Sequence, residues 1–139
     1  MSTATFADVV VDSTSKNQTI GSCTIDGLKF EISENKGKQL PDTQNKLSVI
    51  NLAGNVATDK NYVKFTTTGD AKVTVSFFHG TAGRHAKIIT ATDSTGQTGT
   101  EATTNDKAIK TTEFSLTGAD TYYLGGDNGI YITKIVVEM

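Results

Sequence analysis

Residues 28–32, Leu-Lys-Phe-Glu-Ile, alternate apolar and polar side chains at a period of two, and Asp26-Gly27 stands directly before them. Side chains of an extended chain point alternately to opposite faces, so this pattern fits a half-buried strand and fits no helix. Asp-Gly supplies the two positive-φ positions of a tight hairpin turn, which pairs 28–32 with the run at 22–25. The same short period recurs to the end of the chain. Runs at 6–11, 47–52, 62–66, 72–78, 86–92, 109–116, 121–125 and 130–138 are separated by clusters of Gly, Asn, Asp and Thr. No stretch sustains the helical period of about 3.6 residues. Short strands with turns about every 8–12 residues predict an all-β fold, an antiparallel β-sandwich (jelly-roll-like) of about nine or ten strands. The polar stretches 33–46, with Pro41, and 93–107 read as long loops that cross between the sheets.

A chain of 139 residues has the size of one domain and buries roughly two thirds of its unfolded surface. Residues 1–139 are therefore expected to form a single domain whose core needs no disulfide or metal. Apolar residues make up 36%; Thr, Gly, Asn, Asp and Ser fill the remainder, as short strands with many turns require. Net charge is −2, with Arg84 the single arginine and no basic stripe, so the electrostatic footprint of a nucleic-acid binder is missing. No window approaches the ~18 apolar residues of a membrane-spanning helix. The N-terminus shows no basic region followed by an apolar run, which leaves a cytoplasmic protein or an excised piece of a secreted one. Cys23 has no second cysteine to pair with and reads as a small core residue.

Alternation also predicts which side chains face outward. In the last two runs Ile130, Ile132, Ile135 and Val137 form an inward set, with a local irregularity between Ile132 and Ile135, and Tyr122 and Leu124 join them. Paired as a hairpin around Asp127-Asn128-Gly129, these runs set Tyr123 and Tyr131 side by side on the outer face. Lys64, Asp127 and Asn128 are the polar partners expected there. A second hairpin, 62–67 with 72–78, places Tyr62 near Phe78, where the loop carrying His79, Arg84 and His85 begins. Each cluster has a bland alternative, in which a loop covers the rings and makes a satellite core.

Catalytic constellations do not stand out. His79 and His85 lie on a Gly-containing loop without an acidic neighbour in sequence and match no zinc spacing. A lyase reading would use Arg84 as base or His79 as acid, yet a compact sandwich of this size is small for that task. Asp93 to Gly96 and Asp127-Asn128-Gly129 offer oxygen ligands that could hold calcium, but they lack EF-hand spacing and are turns first. No cofactor and no catalytic or metal residue is expected.

Several segments together resemble a known family. Tyr62-Val-Lys-Phe65, Val73-Thr-Val-Ser76, Gly83-Arg84, Thr121-Tyr-Tyr-Leu-Gly-Gly126, Asn128-Gly-Ile-Tyr-Ile132 and Ile135-Val-Val-Glu138 are similar to small β-sandwich carbohydrate-binding modules attached to secreted xylanases and pectate lyases of gut and rumen bacteria. Asp26-Gly27-Leu28 is a weaker upstream echo. The resemblance implies a non-catalytic module of a larger secreted or cell-surface protein that holds an adjacent catalytic domain near plant cell-wall polysaccharide, xylan first and pectin second. From charge and hydropathy, no nucleic-acid or membrane partner is expected. The chain departs from the familiar pattern in having no Trp, so Tyr and Phe must supply the stacking surfaces for sugar rings. A structural or protein-binding sandwich of a bacterial surface protein is the alternative.

Overall fold

The computed structural model describes residues 3–6, 22–25, 27–33, 37–39, 48–79, 83–101 and 109–139. They form twelve strands: β1 (Thr3–Phe6), β2 (Ser22–Ile25), β3 (Leu28–Ile32), β4 (Gly37–Gln39), β5 (Ser48–Leu52), β6 (Val63–Thr66), β7 (Ala71–Phe78), β8 (His85–Thr90), β9 (Asp93–Glu101), β10 (Lys110–Leu116), β11 (Thr121–Gly126) and β12 (Ile130–Glu138). One sheet runs β10-β7-β12-β5-β4 with β1 beside the far half of β12, and the other runs β2-β3-β6-β11-β8-β9. All strand pairs are antiparallel. The fold is the predicted antiparallel β-sandwich.

The excess over the ten predicted strands comes from β4 and β9, which occupy stretches read as loops. β9 carries no apolar residue and is exposed along most of its length, so periodicity had nothing to register. Most of the predicted strand at 6–11 lies outside the described residues. Gly27, with φ 85°, takes the predicted β2–β3 turn, where Ile25 pairs with Leu28.

Alternation places one core between the sheets. Leu28, Phe30, Ile32, Val63, Phe65, Ala86, Ile88, Tyr122 and Leu124 of one sheet meet Ile50, Leu52, Val73, Val75, Phe77, Phe114, Ile130, Ile132, Ile135 and Val137 of the other. The inward set of the last strand is therefore as predicted. Its irregularity falls between Ile132 and Lys134, where the register against β7 shifts and Thr133 Oγ1 donates to Ser76 O at 3.2 Å.

The two predicted hairpins of the C-terminal half are not hairpins. β6 and β7 lie in different sheets, and so do β11 and β12. Their short connections pass from layer to layer across the end of the sandwich. At one end the β6–β7 and β10–β11 crossings lie against each other: Thr67 N donates to Asp120 O at 2.9 Å, and Gly118 N donates to Asp70 Oδ1 at 2.7 Å. At the other end the β5–β6 and β11–β12 connections cross. A period-two pattern fixes which side chains face the core, and both topologies satisfy it equally.

Candidate functional site

Because β11 and β12 belong to opposite sheets, Tyr123 and Tyr131 point from opposite outer faces and do not form the predicted pair. The ten candidate residues fall into two new groups.

The first group lies on the outer face of the β2-to-β9 sheet. Register sets Glu31 opposite Lys64, Lys64 opposite Tyr123 and Tyr123 opposite Ile89, one row across four strands. Tyr62 sits two residues before Lys64, and its ring meets that of Tyr123 edge-to-face, with centroids 5.3 Å apart and planes at 85°. This is a favoured geometry for aromatic pairs, because the positive edge of one ring meets the negative face of the other. Both tyrosines are half-buried. The Lys64 ammonium stands 6.0 Å from the centre of the Tyr123 ring, at the limit of a cation–π contact. It also pairs with Glu31 at 2.9 Å, and Lys29 reaches the other Glu31 oxygen at 3.1 Å.

These bonds shift both partners. Hydrogen bonds from Lys64 and then Lys29 hold the Glu31 carboxyl below its ordinary value, against a smaller desolvation effect. The hydrogen bond to Glu31 raises Lys64. Further along the strands, Thr66 and Thr121 are opposite one another with their hydroxyls 3.0 Å apart. There a hollow of about 330 Å³ opens, lined by Gly27, Leu28, Lys29, Glu31, Lys64, Phe65, Thr66 and Thr121. An aromatic wall, a fixed charge cluster and hydroxyls thus follow one another along the face. Tyr62, Lys64 and Tyr123 were legible from alternation. Glu31, Lys29, Thr66 and Thr121 were not, since they join the site only through the β3–β6 and β6–β11 pairings.

The second group gathers at the end of the sandwich where the β5–β6 and β11–β12 connections cross. Phe78 is opposite Tyr131 on the outer face of the other sheet, with ring centroids 5.1 Å apart. His79 stacks on Tyr131 at 5.2 Å and 13°. Phe78 is only 1% exposed although it lies outside the main core, so its ring offers no surface to a ligand. Arg84 Nη1 donates to Gly129 O at 2.8 Å and lies 3.1 Å from His79 Nε2. A guanidinium only donates, so the histidine nitrogen accepts. The Arg84 Nε is buried without a hydrogen-bond partner. His85 Nδ1 contacts Asp127 Oδ2 at 2.7 Å, while His85 N donates to Asp127 Oδ1 at 2.7 Å. Asn128 is exposed, and its Oδ1 accepts from Gly129 N at 2.8 Å.

The convergence predicted for Phe78, His79, Arg84 and His85 is thus present, but Tyr131, Asp127 and Asn128 join it in place of Tyr62. The groups a lyase reading would use, Arg84 and His79, bind each other and the β11–β12 turn. Of the oxygen ligands considered for calcium, Asp127 is engaged by His85, and Asp93 Oδ1 accepts from Gly96 N at 3.0 Å. Among the described residues no three of His, Cys, Asp and Glu gather as a metal site.

No family model and no curated protein matches the chain. Solved structures do. CBM35 from Cellvibrio japonicus Abf62 superposes with a TM-score of 0.52 at 14% identity, over 99% of this chain and 94% of that one. Xyl-CBM35, solved in complex with a glucuronic acid containing disaccharide, gives a TM-score of 0.49 at 17% identity over 90% and 91%. A carbohydrate-binding module from Cellvibrio mixtus lichenase 5A, solved with cellotriose, gives 0.39 at 13% over 100% and 98%. The first of these likenesses shows the fold: the chain is a β-sandwich of the kind found in carbohydrate-binding modules.

Proposed function

We propose that this domain is a non-catalytic carbohydrate-binding module and that it binds polysaccharide on the Tyr62–Tyr123 face. The observation that carries this reading is the perpendicular tyrosine pair on an outer sheet face, next to a hydroxyl-lined hollow. The C–H face of a pyranose is apolar and its rim is hydroxylated, so a binding site needs a flat ring with hydrogen-bonding groups around it. Tyr62 and Tyr123 supply the rings. Lys64, Glu31, Thr66 and Thr121 supply donors and acceptors whose positions are set by strand pairing and by their own contacts. Preorganisation of this kind lowers the entropic cost of binding. The end cluster suits the role less well, because its Phe78 ring is 1% exposed and its Arg84 bonds the turn beside it.

The ligand we propose is plant cell-wall polysaccharide, with xylan ahead of pectin, which the domain would hold for a catalytic domain in the same secreted or cell-surface protein. The fold of carbohydrate-binding modules supports the general role, and the resemblance of residues 62–138 to xylanase-associated modules supports the choice of xylan.

Affinity electrophoresis through gels containing soluble xylan, pectin, β-glucan or no polysaccharide tests this. Retardation by xylan above the others is the expected result. Retardation by another glycan alone would replace xylan and keep the role. Equal mobility in every gel would overturn the role and assign the tyrosine face to contact with a protein.

A further inference from the structure

We infer that Gly125, Asn61 and Ser33 are positioning residues for glycan binding, holding Tyr62 at its angle to Tyr123. The inference rests on the glycan-binding reading of that face.

Tyr62 precedes β6, outside the ladder that fixes its neighbours, and one residue clamps its backbone from both sides. Its N–H donates to Ser33 Oγ at 2.8 Å, and its carbonyl accepts from Ser33 N at 3.0 Å. Ser33 is buried, so water competes poorly for these bonds.

The residue before Tyr62 sets the direction of entry. Asn61 is buried and has a φ of 57°, a left-handed conformation that Gly adopts freely and Asn tolerates better than most residues. Its Nδ2 donates to Asn55 O at 3.2 Å. The segment 53–61 is thereby folded over the end of β11, where Val56 N donates to Gly126 O at 2.8 Å.

That segment can settle there because β11 carries no side chain at the critical point. Leu124 pairs with Val63, so the next outward position on β11, opposite Tyr62, is Gly125. A Cβ added to Gly125 would lie 2.5 Å from Asn61 O and 2.8 Å from Val56 Cβ. Val56 is 4% exposed and stands apart from the main core; its burial is explained by the notch that Gly125 leaves. Close backbone approach is a use that only glycine serves. Notch, turn and clamp therefore converge on the one residue that completes the aromatic wall.

The test is Gly125→Ala, measured for xylohexaose affinity and for the proton NOE between the Tyr62 and Tyr123 rings in the ligand-free protein. The NOE is expected to weaken, and affinity to fall about tenfold or more, equivalent to roughly 1.4 kcal/mol. In a Tyr62→Ala background the same change should cost little, because a residue acting through Tyr62 has nothing left to position. Should Gly125→Ala fail to fold, the pair Asn61→Ala and Asn61→Gly decides, with the glycine variant retaining affinity and the alanine variant losing it. Wild-type affinity and an unchanged NOE in Gly125→Ala would overturn the inference, as would an equal loss in the Tyr62→Ala background. If the wild-type protein binds no glycan, the reading of the face falls, while the NOE still decides whether Gly125 places Tyr62.

Discussion

Glu31 accepts from two ammonium groups, Lys64 at 2.9 Å and Lys29 at 3.1 Å, and its folded pKa is lowered mainly by the Lys64 hydrogen bond. A carboxylate with a depressed folded pKa contributes stability above its unfolded pKa and loses it as pH falls through the folded value. About a third of each side chain of the Glu31–Lys64 pair remains exposed, so solvent screening keeps the contribution under ~1 kcal/mol. Glu31→Gln should therefore be destabilising by less than ~1 kcal/mol at neutral pH. The difference from wild type should vanish once acid has protonated the wild-type carboxyl, as urea titrations at several pH values would measure. The outward direction of Lys29, Glu31 and Lys64 is plain from alternation. Their meeting is not, because it depends on which strand pairs with which.

Among the elements, β9 shows the limit of sequence periodicity most clearly. Its residues, Asp-Ser-Thr-Gly-Gln-Thr-Gly-Thr-Glu, bury no apolar side chain, so no hydrophobic alternation marks it. What fixes it is backbone pairing to β8 on one side and bonds to β10 on the other. Thr100 N donates to Thr112 Oγ1 at 3.0 Å, and Gln97 Nε2 donates to Ser115 O at 2.9 Å. These bonds join the edge of one sheet to the edge of the other and cover strand edges that would otherwise invite pairing with another chain. Gly96 permits the arrangement: its φ is 57°, and a Cβ there would lie 1.9 Å from Ile88 O. Gly96→Ala is expected to destabilise by ~1–3 kcal/mol, as overpacking does. Thr112→Val, which leaves the Thr100 amide without its acceptor, should cost ~1 kcal/mol. Thermal or urea unfolding of the two variants measures both.

At the scale of the whole molecule, the core was legible and the topology was not. Phe30, Phe65, Phe77 and Phe114 occupy inward positions that alternation alone identifies, and all are 2% exposed or less. Phe65 and Phe77 come from different sheets yet share one core. Truncating either to alanine should cost a similar ~3–5 kcal/mol, in one cooperative transition by equilibrium denaturation. The order of strands in each sheet depends on turns that cross layers, and a four-residue connection such as Thr67 to Asp70 resembles a hairpin turn in sequence. The misassigned hairpins moved the candidate residues between faces: Tyr62 and Tyr123 met, Tyr131 joined the end cluster, and two proposed surfaces exchanged members. The most direct test of where glycan binds is a titration of isotope-labelled protein with xylohexaose, following backbone amide shifts. Saturable changes should centre on Glu31, Tyr62, Lys64, Thr66, Thr121 and Tyr123. Changes centred on His85, Asp127 and Asn128 would contradict binding on the tyrosine face, and no saturable change at any concentration would contradict xylan as its ligand.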